Sequence, residues 1–160
     1  MTSKISTTFT KLTESSRVWT WTLFRLLVAS MFMTHGYAKL FGENPQPLTG
    51  GGVTSINIGE LISLPIPLEI KALFITGMVE FFGGFLILIG LGTPVIALVA
   101  AFIMIMAYLT AHLAWFPTLN RGELATMYIG AFLIISAYGA GPYSIDNWLA
   151  LRRQNKETQE

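Results

Sequence analysis

The sequence predicts an all-α membrane protein: a four-helix transmembrane bundle with both termini on the cytoplasmic side. Three observations predict it. Only 12% of the 160 residues are charged and 52% are hydrophobic, whereas a soluble globular domain carries roughly 25% charged residues. Apolar stretches long enough to cross a bilayer are marked off by glycine and proline. Basic residues then concentrate at one set of span ends, which sets the orientation.

The first span is expected over about 18–41, where Arg25 is the only charge between Val18 and Ala38. Roughly 20 mostly apolar residues are what a helix needs to cross about 30 Å of hydrocarbon. Residues 1–17 form a polar arm before it. A secretory signal is not expected there, because the first apolar stretch lies behind that arm, is long enough to span and has no small-residue cleavage site at its end. From Phe81 to Asn120 there is no charge at all, but Gly90, Gly92, Thr93 and Pro94 break the run. It therefore holds two spans joined by a tight hairpin, one over about 69–91 and one over about 94–115 that stops before Pro117. The fourth runs over about 121–140 and is stopped by Gly139, Gly141 and Pro142. Residues 147–160 remain as a cytoplasmic tail.

Four spans put both termini on one side. That side holds Lys4, Lys11, Arg17, Arg152, Arg153 and Lys156, against Lys39, Lys71 and Arg121 on the other, so the termini are assigned to the cytoplasm. Trp19, Trp21, Trp115 and Trp148 fall near span ends, where amphipathic aromatics anchor at the interface. The outer loop over 42–68 is too long for a turn. Rich in glycine and proline and without evident regular structure, it reads as a lid, a binding loop or a disordered segment, with Ile62 to Ile66 at the interface.

Composition also excludes whole classes of chemistry. Ten Lys and Arg nearly cancel nine Asp and Glu, so no electrostatic footprint for nucleic acid is present. With no cysteine, disulfide exchange, thiolate zinc sites and cysteine-ligated iron-sulfur clusters are excluded within this chain. Any thiol chemistry belongs to a partner. The seven methionines form no metal-ligand pattern, and no metal site is expected.

Ionisable residues inside a span are costly and face the bundle interior or a wet cavity. Arg25 and Glu80 both qualify. At 1.5 Å per residue, Arg25 lies roughly 10 Å and Glu80 about 15 Å from the cytoplasmic side, close enough in depth to pair. As a functional pair they polarise a carbonyl or relay a proton to a bound cofactor; as a structural pair they form a buried salt bridge that fixes helix register. Gly77, Gly83 and Gly84 share the helical face of Glu80. That groove admits either a close neighbouring helix or a flat ligand.

A second constellation lies toward the outer face. His35 and Lys39 are one turn apart, His112 sits at matching depth with Tyr108 one turn away, and Glu123 opens the fourth span from the same side. Two histidines from different spans suit haem iron or proton donation to a quinone carbonyl. The plainer alternatives are a hydrogen-bonded histidine, a snorkelling Lys39, and a capping box in which Asn120 and Glu123 start the helix.

In order along the chain come Arg25, then His35-Gly36 with Lys39-Leu40-Phe41-Gly42, Glu80 with Gly83-Gly84, Gly90-Leu91 with Thr93, and His112. Asn120-Arg121-Gly122-Glu123 and Gly141-Pro142-Tyr143-Ser144-Ile145-Asp146 follow. Together these resemble the DoxX family of small bacterial inner-membrane proteins over most of the chain. Two departures stand out: Arg121 replaces a glycine, and the closing motif lacks its second glycine. The family is named for a membrane subunit associated with thiosulfate:quinone oxidoreduction, and relatives are linked to thiol and oxidative-stress systems. The resemblance implies location in the bacterial inner membrane and a redox role.

Three functions follow as alternatives. The first is a quinone-linked redox subunit using Arg25 and Glu80, or the group of His35, Lys39, His112 and Glu123 with Tyr108. Lacking a thiol or flavin motif, it needs a redox protein partner. The second is a non-catalytic scaffold or assembly factor whose polar groups hold the bundle together among membrane lipids. The third is a small-solute transporter, which four spans support only as a homo-oligomer.

Overall fold

The computed structural model describes the backbone of residues 2–43, 53–59, 61–70 and 72–159, and the side chains of 16–43, 55–59, 61–65 and 72–159. Within these residues five helices and one β-hairpin follow one another. They are α1 (Thr2–Phe41), β1 (Val53–Ile58), β2 (Ile62–Ile70), α2 (Ala72–Ile89), α3 (Thr93–His112), α4 (Glu123–Tyr138) and α5 (Ile145–Glu157). Helix α1 packs along α2, α2 folds back into α3, and α3 packs along α4. From Thr2 onward the polar arm is helical and continuous with the expected first span, since α1 begins at Thr2.

Helices α2 and α3 are long and apolar enough to cross a membrane, with mean hydropathy 2.1 and 2.3. Only 28% and 22% of their apolar windows are buried inside the protein. A soluble core helix would hide most of such a face. Here Phe85, Val95, Leu98, Phe102, Leu133 and Ile134 point outward, which an apolar solvent accommodates and water does not. Inside, Ala97, Ala100 and Ala101 of α3 bring its backbone close to α4, where Tyr128, Phe132 and Ile135 pack with Phe32 and Ile87. Small residues at such contacts let helices approach closely.

The outer loop departs from the sequence expectation. Its second half is an antiparallel hairpin, pairing Ser55 with Pro65 and Ile58 with Ile62 around a turn at Gly59 and Leu61. Pro65 and Pro67 argue against a strand, but in a two-stranded ribbon both strands are edges, where a missing N–H is tolerated. The second span accordingly starts at Ala72, not near Glu69, which lies in β2. The capping box is not formed either. Asn120 closes a 3₁₀ turn over Pro117–Asn120, and α4 starts after Gly122 with no side-chain cap.

At the end of the bundle away from the hairpin, called inner from the expected orientation, one polar junction ties the helices together. Gly90 ends α2 at φ 71°, and a Cβ there would lie 2.4 Å from the Ser144 Cβ. Asp146 accepts hydrogen bonds from the Gly92 and Thr93 N–H groups at 2.7 and 2.9 Å. It thereby satisfies the amides at the start of α3 and places a negative charge at that helix's positive end.

Candidate functional site

Arg25 is 1% exposed and belongs to this inner junction. Its Nη1 donates to the carbonyls of Ile87 and Leu88 at 2.5 and 2.6 Å, and its Nη2 to that of Tyr143 at 2.8 Å. These carbonyls belong to the last turn of α2, where Ile87 also accepts from the Gly90 N–H at 3.1 Å, and to the loop before α5. The expected pairing of Arg25 with Glu80 is therefore corrected, and the reason is register. Helices α1 and α2 run antiparallel and meet where Gly36 lies against the backbone of Phe81, the position at which a Cβ would come within 2.3 Å of the amide nitrogen. Arg25 lies roughly 16 Å back along α1 from that contact. Depth alone placed the two side chains together; the crossing point separates them.

Glu80 instead pairs with Lys39, whose Nζ donates to Oε1 at 2.5 Å. The carboxylate is 2% exposed and the lysine 29%. The glycine groove around it is filled by a helix: Gly77 faces Lys39 and Leu40, and Gly84 faces Met33 and the Ala29 carbonyl of α1. Glu80 also sits on a π turn, Val79–Gly83. A second π turn, Tyr108–His112, ends α3. Such turns recur at functional sites because the extra residue re-aims a side chain, and each of these carries one residue of a common cavity.

That cavity, about 290 Å³, opens between α1, α2, α3 and α4. Its lining includes His35, Lys39, Glu80, His112, Arg121 and Tyr128. Of the residues singled out in the sequence, His35, Lys39 and His112 are brought together there, and Glu80 joins them. Glu123 and Tyr108 stand outside. Glu123 is exposed in the first turn of α4, and the Tyr108 hydroxyl donates to the Ala114 carbonyl at 3.2 Å, bracing the chain after α3. Two cavity residues were missed as site candidates. Tyr128 lies within an apolar run where nothing local marks it; Arg121 was noted only as a replaced glycine.

The polar atoms of the cavity are incompletely satisfied. Glu80 Oε2 and the Tyr128 hydroxyl are buried and have no hydrogen-bond partner among the described residues. A buried polar atom left so is destabilising by about 1–3 kcal/mol. His112 Nδ1 lies 3.0 Å from the Asn120 carbonyl; because a carbonyl only accepts, Nδ1 is the donor, and Nε2 of the neutral ring remains an acceptor. The cavity has an aromatic wall as well. Tyr128 stacks on Phe132 at 5.6 Å, and the His35 ring stands edge-on to Tyr128 at 6.0 Å.

The cavity's residues and the inner junction carry most of the motif elements in sequence order. The DoxX family profile matches residues 20–113. The chain belongs to the DoxX family. A Haemophilus influenzae protein bearing only the description "uncharacterized protein" is 34% identical over 139 residues, covering 84% of this chain and 93% of the relative. No solved structure matches the chain. The DoxX match takes in Arg25, His35, Lys39, Glu80 and His112, and it stops before Arg121, Tyr128 and Asp146. Membership makes this a membrane protein, in agreement with the apolar outward faces of α2 and α3.

Proposed function

We propose that this DoxX protein crosses the bacterial inner membrane four times, through α1 to α4, with both termini in the cytoplasm. We further propose that its outer cavity holds the head group of a quinone passed to or from a redox protein partner. One observation carries the ligand reading: two residues that line one aromatic-walled cavity, Glu80 and Tyr128, each hold a buried polar atom, Oε2 and the hydroxyl, with no partner among the described residues. A volume of about 290 Å³ sits at the lower edge of the roughly 300–1,000 Å³ usual for ligand sites. It suits a single substituted ring and is too small for a porphyrin. The groups around it bind, orient and exchange protons with ring oxygens; the quinone supplies the electron chemistry.

The scaffold reading retains the inner junction, where Arg25 and Asp146 tie helix ends together although Arg25 Nε and Thr93 Oγ1 are also buried without a partner among the described residues. It gives no reason for an open cavity lined by two of the residues that carry orphaned atoms. The two are separated by purifying the protein in mild detergent and analysing a solvent extract for quinone by mass spectrometry. Stoichiometric quinone is expected from the wild type, and a several-fold loss from Tyr128→Phe, which removes one hydrogen bond of about 1 kcal/mol. Folded protein that retains native lipid but carries no quinone would favour the scaffold.

A further inference from the structure

The polarity of the orphaned groups bears on which form of the ring the cavity prefers, an inference that rests on the quinone reading above. Glu80, held beside the Lys39 ammonium, is a carboxylate and can only accept hydrogen bonds. Its Oε1 is taken by Lys39, and its buried Oε2 has no partner. With Nδ1 donating to the Asn120 carbonyl, the neutral form of the His112 ring presents a second acceptor, Nε2. A quinone carbonyl is also an acceptor. Placed against Glu80 Oε2 it leaves both oxygens unsatisfied and sets two partial negative charges together. A hydroquinone hydroxyl placed there donates to the carboxylate in a charge-assisted bond, which is about twice as strong as a neutral one.

The Tyr128 hydroxyl does not discriminate in the same way. It can donate to a carbonyl or to a hydroxyl oxygen, and can accept from a hydroxyl. The Tyr128 contact is therefore indifferent to redox state, and the Glu80 contact is not. We infer that the outer cavity is a hydroquinone site: it binds the reduced, hydroxyl-bearing ring more tightly than the oxidised, carbonyl-bearing ring, and Glu80 is the residue that discriminates. Such a preference stabilises the reduced ring in the cavity relative to the oxidised ring and leaves the direction of electron flow to the redox partner.

The probes are a decyl-substituted dimethoxy-methyl-benzoquinone and its hydroquinone, titrated anaerobically into the full-length wild-type protein in nanodiscs. Hydroquinone binding at least about tenfold tighter is expected, because leaving a buried acceptor unpaired penalises the quinone. Glu80→Gln presents an amide that can donate as well as accept, so it should remove or reverse the preference. Should that variant fail to fold, the wild-type protein still answers by potentiometric titration. Tenfold preference for the reduced form raises the midpoint potential of the bound two-electron couple by about 30 mV over the free couple. Equal affinities, tighter quinone binding, or a preference that survives in Glu80→Gln would overturn the inference while leaving a quinone site in place. Binding of neither form would overturn the quinone reading itself.

Discussion

Lys39 and Glu80 are unequal partners: the carboxylate is almost completely buried, and the lysine is partly exposed. Removing Glu80 lets the partly exposed ammonium turn toward the cavity mouth, but removing Lys39 strands a buried charge without its partner. Lys39→Met should therefore destabilise the protein by about 3 kcal/mol, the low end for breaking a buried pair, as read by thermal unfolding in detergent. Adding Glu80→Gln to the same chain should recover most of that loss, because the uncompensated charge is gone. A double variant no more stable than Lys39→Met would mean that the pair does not account for the loss. Arg121 illustrates a different tension at the same scale. It occupies the left-handed region at φ 55°, where a side chain is strained and glycine is not. A glycine at this position of the motif is thus explained by the backbone, and the arginine here lines the cavity at the expense of that strain.

Among the elements, the contact of α1 with α2 decides where every cavity residue stands. Gly36 has no room for a side chain, because the atoms a Cβ would meet are backbone: Phe81 N at 2.3 Å, and Glu80 C and Gly77 O at 2.8 Å. No rotamer change relieves such a clash. Gly36→Ala should push the helices apart and destabilise by about 3 kcal/mol or more. Gly130 in α4 has nothing within 4 Å of a built Cβ, so Gly130→Ala should stabilise by about 0.5–1 kcal/mol through helix propensity alone. Opposite signs for two Gly→Ala changes in one bundle, measured by unfolding, are the expected result; two similar losses would show that the close approach is not what Gly36 provides. Helix existence was legible from hydropathy, and the break at Gly90 to Pro94 from local chemistry. The hairpin was not, because Pro65 and Pro67 mask strands that only their own pairing stabilises. The two π turns were hidden too, since they change helical phase without leaving a residue signature.

For the whole molecule, the sequence conveys which residues are polar inside the membrane but not which of them meet. His35, Lys39 and His112 were legible as a group because they share one end of their helices. Glu80 was assigned to Arg25 because depth was counted one helix at a time, and register between helices is a tertiary property. The crossing of α4 is the next thing to test. Its 16 residues rise only about 24 Å, against roughly 30 Å of hydrocarbon, so the proposed crossing requires Gly139 to Gly141 and the turn at Pro117–Asn120 to complete the passage. The chain has no cysteine, which makes single introduced thiols clean reporters. Glu43→Cys at the end of α1, Thr118→Cys before α4 and Gln154→Cys in α5 all lie at exposed positions. Under the proposed topology, a membrane-impermeant maleimide applied to spheroplasts labels residues 43 and 118, and reaches residue 154 only after permeabilisation. Labelling of 118 and 154 from the same side would remove α4 from the crossings and place the termini on opposite faces. Complete inversion of the pattern would keep four crossings but put the cavity end at the cytoplasm, where a redox partner would have to be soluble and cytoplasmic.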